Sequence, residues 1–291
     1  MLALSASLAC GSTARTFTTE KSSASACQLP VSGPQFAGFV AIPQGRVTRV
    51  VSAPPGANFY ANKLHRWYST MGAATVSPDQ TRYVTVESGK LVMHDGVTGS
   101  ARTLPTPDLV TVIAWRPEGI LAGTQRGVVF VDPASGAAKQ VDTHGWNLTG
   151  FFEYGGGALW GTRGLSETDT APRLLRFDLQ TGVISSWYRF SQDAAGSGGG
   201  SFVGFDGAGH PVITDESPGA PMKLVLVQSP GSAVTLFTSR TLPAMRPNQA
   251  GGDPHHSWLT MMDGSLWQFS SNGMTRVTGP AGIYVIAGQC S

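Results

Sequence analysis

Apolar and polar residues alternate along most of this chain, in short runs separated by turn-forming residues. The recurring unit is an alternating apolar run, a turn rich in Gly, Pro, Ser or Asp, and a second run. A period of two is typical of a β-strand with two different faces. Five such hairpins are KLVMHDGVTGSARTL from Lys90, GVVFVDPASGAAKQV from Gly127, RLLRFDLQTGVISSW from Arg173, KLVLVQSPGSAVTLF from Lys223 and SLWQFSSNGMTRV from Ser265; a sixth, GFVAIPQGRVTRVV, begins at Gly38. The pattern predicts an all-β protein built from repeated hairpins.

Three of the hairpin turns share the pattern Asp-x-x-Thr/Ser-Gly, beginning at Asp95, Asp132 and Asp178. An Asp side chain in a turn accepts hydrogen bonds from backbone N–H groups just ahead of it, and Gly adopts the positive φ that closes the turn. We therefore expect the Asp to cap the turn and the Gly to end it.

A second apolar pair precedes five of the hairpins. These pairs are AATVSPDQTRYVTVE, VTVIAWRPEGILAGT, LTGFFEYGGGALWGT, SFVGFDGAGHPVITD and AGGDPHHSWLTMMDG. A repeat of about 40 to 50 residues with four strands is typical of a propeller blade. The sequence thus predicts a six-bladed β-propeller of four-stranded antiparallel blades. Seven blades is the main alternative, because residues 53–69 could hold another strand pair.

The two ends of the chain are predicted to complete the last blade together. The N-terminal hairpin lacks inner strands, and the C-terminus offers the single apolar run GIYVIAG. Such a join removes exposed strand edges. Cys27 lies before the hairpin and Cys290 lies just after the terminal run, so a disulfide between them would fasten the closure; the alternative is two unpaired thiols.

Residues 1–26 are predicted to be a signal segment and a flexible tether, followed by one propeller domain over residues 27–291. Small apolar residues precede Cys10, which is followed by Gly11 and Ser12. This arrangement is similar to a bacterial lipoprotein signal with Cys10 as the lipidated residue, although Ser7 stands where Leu is usual and no charged segment comes first. A plain secretion signal is the alternative. The prediction is an extracellular or cell-envelope protein, held at a membrane only through a possible N-terminal lipid.

Composition excludes several function classes. Hydrophobic residues make up 41% of the chain and charged residues 13%, about half the usual charged fraction near 25%. The net charge is +2 without a basic run, so nucleic acid is not an expected partner. No apolar stretch of about 18 residues occurs, so no internal membrane span is expected. We expect a monomer.

The segment SPDQTRYV, which begins at Ser77, resembles the Ser-Pro-Asp-Gly signature of bacterial TolB-type propeller repeats and of prolyl-peptidase propellers, with Gln80 in place of the usual Gly. The stretches CQLPVSG and HRWYSTMGAATVSPDQTRYV also resemble a group of exported bacterial six-bladed propellers. The resemblance covers residues 27 to 290 and implies a fold. It implies no catalytic residues.

Motifs that carry chemistry are missing from the sequence. There is no Gly-x-Ser-x-Gly nucleophile turn, and GSGGGS at 196–201 is not followed by the Lys of a phosphate-binding loop. Asp253, His255 and His256 are residue types that bind metals, but neighbouring His side chains on a strand point to opposite faces. We therefore predict neither a metal nor a cofactor.

Long loops are predicted to gather on one face, in the ranges 53–69, 143–147, 162–173, 189–200, 215–223 and 240–256. Binding residues concentrate on loops that a rigid scaffold holds in place. Aromatic residues mixed with Arg, Asn and acids suit a protein, peptide or glycan ligand. The candidate ligand-binding residues are Tyr60, His65, Arg66, Trp67, Trp146, Asn147, Arg163, Asp215, Glu216 and His255. The structural alternative is Trp packing between blades and Arg pairing with Asp.

Two functions remain open on the sequence. The first is a non-enzymatic binding module. The second is an enzyme of the lactonase or lyase kind, which would need a metal or an acid/base pair, with Asn147, Asp215 and His255 as candidates. The predicted loop YANKLHRWYST at 60–70 has the same ambiguity, because Arg66 beside Trp67 suits either a ligand site or a structural plug.

Overall fold

The computed structural model describes residues 27–34, 36–49, 53–70, 72–143, 148, 151–163, 171–194, 196–241, 246–277, 282–283 and 285–290. The first strands are β1 (Cys27–Gly33), β2 (Phe36–Ile42), β3 (Arg46–Arg49), β4 (Phe59–Ala61), β5 (Arg66–Tyr68), β6 (Arg82–Glu87), β7 (Lys90–Asp95), β8 (Ala101–Thr103), β9 (Leu109–Arg116), β10 (Gly119–Thr124), β11 (Gly127–Val131) and β12 (Ala138–Gln140). They are followed by β13 (Phe151–Gly155), β14 (Ala158–Arg163), β15 (Arg173–Asp178), β16 (Ile184–Arg189), β17 (Phe202–Phe205), β18 (Pro211–Asp215), β19 (Lys223–Ser229), β20 (Ser232–Thr238), β21 (Pro247–Asp253), β22 (His256–Met261), β23 (Leu266–Ser270), β24 (Gly273–Arg276) and β25 (Val285–Ile286). Within the described ranges, the helical structure is one 3₁₀ turn, Ala73–Thr75.

Antiparallel sheets arranged in a propeller-like manner make up the fold. Strands β9 to β12 form one sheet and β13 to β16 another, each in sequence order. Strands β17 to β20 and β21 to β24 form two further runs of four, which join into one sheet through a single parallel pairing of Gly204 with Ala250. The prediction of an all-β, propeller-like protein is confirmed, and each hairpin that the alternating pattern predicted is present.

The Asp-capped turns are also confirmed. The Asp95 carboxylate accepts hydrogen bonds from the N–H groups of Val97 and Thr98, at 2.8 and 2.7 Å. Gly99, which ends this turn, has φ 76°. These backbone hydrogen bonds favour the ionised carboxylate and lower the pKa of Asp95. The corresponding Asp132 and Asp178 turns are built in the same way.

The middle strands β10 and β19 pack apolar side chains on both faces, because consecutive residues of a strand point to opposite sides of the sheet. On β10, Ile120 packs into the cluster shared with the preceding sheet, while Leu121 packs into the cluster shared with the next. On β19, Leu224 and Val225 divide in the same way. Apolar side chains thus fill the space between successive sheets.

The two ends of the described chain meet in one sheet, as predicted. Its strand order is β25, β1, β2, β3, and Val31 of β1 lies opposite Ile286 of β25. The Cys27–Cys290 disulfide is present, with Cα atoms 5.6 Å apart and a sequence separation of 263. The sequence reasoning missed β1 as a strand. Its pattern is broken by Pro30, which disfavours a central strand position, yet β1 pairs on both edges.

Residues 60–70 are not a loop, which corrects the prediction for this segment. They contain most of the hairpin β4–β5, in which Tyr60 lies opposite Trp67. One side of the hairpin packs against the terminal sheet through Trp67, and the other side packs through Tyr68 toward the sheet of β6 to β8. Residues 53–69 therefore do hold the short strand pair on which the seven-blade alternative depended.

The SPDQ turn leads into a sheet of only three full strands, β6 to β8. The place of an inner strand is taken by the 3₁₀ turn and by a single bridge between Val76 and Tyr83. Gln80 adopts φ 60° where the TolB-type signature has Gly. The Ser77 hydroxyl donates to the Asp79 carboxylate, which lowers the pKa of Asp79.

Candidate functional site

Three of the predicted loops meet on one face and enclose a recess of about 800 Å³. We call it the loop-face recess; it is lined by residues 198–201, 216–218, 220, 222, 239 and 246. These segments precede β17, follow β18 and precede β21, so they lie at the same end of neighbouring strands. The prediction that these loops share a face is confirmed for this part of the structure.

Hydrogen bonds hold the walls of the loop-face recess in place. The N–H groups of Gly199 and Glu216 each donate to the carbonyl oxygen of the other, both at 2.8 Å. Such a reciprocal pair fixes the separation of the two loops. Glu216 and Arg246 both belong to the recess lining, and both are exposed. The lining of the recess therefore combines one carboxylate, one guanidinium and several glycines.

Asp215, next to Glu216, has a different environment. Its side chain is fully buried and accepts hydrogen bonds from the Tyr188 hydroxyl at 2.6 Å and from the Ser191 N–H at 2.8 Å. Lys223 Nζ lies 3.7 Å away. Burial, together with the hydrogen bond to Asp215, raises the pKa of Tyr188. Asp215 thus connects β16 and the segment after it to β18.

A second concavity, the central cavity, has a volume of about 640 Å³. It is lined by residues of β9, β13, β17, β21 and β25 and by the segment 72–80, which are the inner segments of their sheets. Six aromatic residues contribute to its wall: Phe59, Tyr60, Trp115, Tyr154, Phe202 and Phe205. Among the candidate ligand-binding residues, Tyr60 lines the central cavity and Glu216 lines the loop-face recess.

The central cavity contains two carboxylates in contrasting environments. Asp206 accepts hydrogen bonds from the backbone N–H groups of Ala208 and His210, and its other oxygen lies 3.0 Å from the His210 ring nitrogen Nδ1. Glu153 takes part in none of the hydrogen bonds or ion pairs among the described residues. It is open to the water of the cavity, but the surrounding protein raises its pKa by desolvation.

Sequence reasoning did not select Glu153. The signal was present in the run FFEYGG, where one acid interrupts an apolar inner strand. A charged residue at such a position is expected to face water or a ligand, because an isolated buried charge is costly. What the sequence alone could not show is that the inner segments bring Glu153 and the aromatic side chains together.

The hairpin residues have mainly structural surroundings. Trp67 is 9% exposed, and its ring lies 5.2 Å from that of Tyr60. The Arg66 side chain donates to the carbonyl oxygen of Gly96 at 2.7 Å. His65 Nδ1 lies 3.3 Å from the Tyr60 hydroxyl. These contacts support the structural alternative for this segment, and ligand binding here stays a prediction.

His255 lies in the tight turn between β21 and β22, at the opposite end of β21 from Arg246. The range 240–256 is therefore not a continuous loop, because β21 occupies its second half. Ligand atoms of Asp253, His256 and Cys290 lie within 4.8 Å of one another. However, the Cys290 sulfur is bonded to Cys27, and Asp253 caps the turn by accepting from the N–H groups of His255 and His256 at 2.9 Å each. This group is consistent with a structural turn.

Some predicted residues lie outside the described part of the structure. They are Cys10, Trp146 and Asn147, together with the side chain of Arg163. Their predicted roles in lipidation and ligand binding stay predictions. Within the described ranges, no helix has the length and apolar character needed to cross a membrane.

Neither a protein-family model nor a curated protein sequence matches this chain. Solved structures do. TolB from Acinetobacter baumannii superposes with a TM-score of 0.51 at 14% identity, over 90% of this chain and 66% of the TolB chain. Acylaminoacyl peptidase from Pyrococcus horikoshii gives 0.49 at 10% identity, over 87% of this chain and 46% of its own. Regucalcin, a calcium-binding protein from Agrobacterium tumefaciens, gives 0.44 at 15% identity, covering 70% of this chain and 72% of that one.

At these identities the likeness to TolB concerns the fold alone, and this chain spans slightly less than two thirds of the TolB length. It agrees with the resemblance of SPDQTRYV to TolB-type repeats. The disulfide is consistent with an oxidising, exported environment.

Proposed function

We propose that this chain is an exported, non-enzymatic propeller that binds a protein, peptide or glycan at the loop-rich face. The proposal depends chiefly on the loop-face recess, where three loops from neighbouring strands enclose about 800 Å³. Binding sites for small molecules commonly have volumes of about 300 to 1,000 Å³. Glu216 and Arg246 supply one charge of each sign at its wall, which favours a polar ligand over an apolar one.

The proposal also covers architecture and location. The runs β9–β12, β13–β16, β17–β20 and β21–β24, the terminal sheet and the sheet of β6 to β8 support six blades, with the hairpin β4–β5 as a short wedge between two of them. The disulfide supports export. Tethering through Cys10 depends on the sequence resemblance to lipoprotein signals and is part of the proposal.

The enzymatic alternative would use Asp215 as a metal ligand or an acid/base group. That carboxylate is fully buried and already accepts hydrogen bonds from Tyr188 and Ser191. A buried carboxylate whose oxygens already accept hydrogen bonds from the protein is more typical of a structural role than of a metal ligand or an acid/base group. Elemental analysis of the purified protein tests the alternative directly, since a stoichiometric divalent ion would favour the enzyme.

Site-specific photocrosslinking tests the binding proposal. A photoreactive residue at Ser217, in the loop-face recess, is expected to capture a discrete partner from cell-envelope extract. The same residue at Gln180, on the exposed turn between β15 and β16 at the other end of the strands, serves as control. The double change Glu216→Ala with Arg246→Ala should abolish the Ser217 product. Equal capture at both positions, or capture that survives the double change, would refute the proposed face.

A further inference from the structure

The central cavity has a composition that the loop-face recess lacks. Six aromatic residues are among those that line it, and its acids are Glu153 and Asp206. Of the described residues that line it, none is Lys, Arg or His. The cavity is therefore an aromatic, acidic enclosure without a lining cation.

The two acids are not equivalent. Asp206 is occupied by its turn, where it accepts from two backbone N–H groups and faces the His210 ring at 3.0 Å. Glu153 directly precedes Tyr154 on β13. It has no hydrogen-bond or ion-pair partner among the described residues. Glu153 is exposed in the cavity lining without a cationic partner, so a cationic ligand could supply the opposite charge there.

Two of the aromatic residues that line the cavity, Trp115 and Tyr154, each have an arginine over the ring. The Arg116 guanidinium lies 5.1 Å from the centre of the Tyr154 ring, and Arg82 lies 5.7 Å from that of Trp115. Arg116 is itself held by Glu118 at 3.2 Å. Neither arginine belongs to the cavity lining, so neither neutralises Glu153 from within the cavity.

We propose that the central cavity binds an organic ammonium ion, with the cationic head against the Glu153 carboxylate and its alkyl groups against the aromatic wall. Cation–π contacts attract a cation to the face of an aromatic ring, more strongly where the cation is desolvated. The volume of about 640 Å³ accommodates a small organic molecule. This site is separate from the loop-face recess, so it does not depend on the function proposed for that recess.

Calorimetry with the full chain tests the proposal, with choline as probe and 3,3-dimethylbutan-1-ol as its uncharged counterpart of the same shape. We expect choline to bind with a dissociation constant below about 1 mM, and the alcohol to give no measurable heat. Glu153→Gln should weaken choline binding at least tenfold, about 1.4 kcal/mol. Glu216→Gln, which removes the same charge on the loop face, should leave it within about twofold.

The pH dependence supplies a second readout. Choline stays charged at every pH, so its affinity should fall as acid protonates Glu153, and this fall should disappear in Glu153→Gln. The other titratable groups that line the cavity are Asp206, Tyr60 and Tyr154, and Arg82 and Arg116 lie over the Trp115 and Tyr154 rings. All of these residues are unchanged in the variant. Absence of choline binding at about 10 mM, equal binding of the alcohol, or unchanged affinity in a folded Glu153→Gln protein would overturn the proposal.

Discussion

Arg66 donates a 2.7 Å hydrogen bond from its guanidinium to the carbonyl oxygen of Gly96, a residue thirty positions further along the chain. The bond connects the hairpin β4–β5 to the turn after β7. Gly96 has no room for a side chain, because an added Cβ would lie 2.0 Å from the Tyr68 hydroxyl. The hairpin can therefore approach this turn closely because Gly96 has no side chain, and the Arg66 hydrogen bond joins the two.

We expect Arg66→Ala to lower the free energy of unfolding by about 1 to 2 kcal/mol, since a charged donor to a backbone carbonyl is lost. Thermal and urea unfolding measure the change. Lys63→Ala, an exposed cation in the same hairpin turn, is the control and should change stability by less than about 0.5 kcal/mol. An Arg66→Ala protein of unchanged stability that no longer captures ligand would instead make this hairpin a binding site.

Replacing Cys27 with Ser should destabilise the protein by about 2 to 5 kcal/mol, because the disulfide restricts a very long loop in the unfolded chain. Cys290→Ser should have the same effect, and the double replacement should add nothing. Thiol labelling of the denatured, unreduced protein provides the chemical check. The expected result is that neither Cys27 nor Cys290 is labelled, and labelling of both would contradict the disulfide.

Asp215→Ala should cost about 2 to 4 kcal/mol of stability, because it leaves the Tyr188 hydroxyl and the Ser191 N–H without their buried acceptor. Tyr188→Phe removes one of these bonds and should cost about 1 kcal/mol. The neighbouring exposed Glu216→Ala is the matched control, with an expected change below about 0.5 kcal/mol. A fully stable Asp215→Ala protein would return Asp215 to the list of candidate ligand-binding residues.

Glu153→Gln should raise the melting temperature at neutral pH. Desolvation raises the pKa of Glu153 in the folded state, so folding favours the protonated form. The penalty for the ionised form sets in above the ordinary carboxyl pKa of about 4.3, grows through the raised pKa and is constant above it. The stabilising effect of the variant should therefore vanish near pH 4. Melting curves from pH 4 to 8 test this, with Glu216→Gln, a change at an exposed side chain outside the central cavity, as the control.

Gly204→Ala should disrupt the contact between the inner strands β17 and β21. A Cβ at Gly204 would lie 2.1 Å from the carbonyl oxygen of Ala250, and the residue has φ 149°. We expect a loss of about 1 to 3 kcal/mol. Gly199→Ala, where nothing lies within 4 Å of the added atom, should be nearly neutral. Equal stability of the two variants would mean that this close approach does not exist in solution.

The local pattern of the sequence determined the strands and many of the turns. Short apolar runs bounded by turn-forming residues located β7, β11, β15 and the other hairpin strands, because a strand between two sheets must present apolar groups on both faces. The turn at Asp95 could be predicted down to its hydrogen bonds, since an Asx turn depends on residues two and three positions ahead. The pairing of Cys27 with Cys290 was one of two alternatives that the sequence left open, because a bridge there would fasten the two ends of the chain; the structure contains the bridge.

Only the tertiary structure decided what these elements enclose. Glu153 and Trp115 come from separate sheets, and their shared cavity arises because the inner segments surround one space. Residues 60–70 resemble a loop in sequence, because strands of three residues are too short to show a period; packing on both sides makes them a hairpin. Asp215 and Glu216 are neighbours of the same charge, yet one is buried by Tyr188 and Ser191 and the other faces the recess. Contacts between residues distant along the chain set that difference, and no local pattern encodes them.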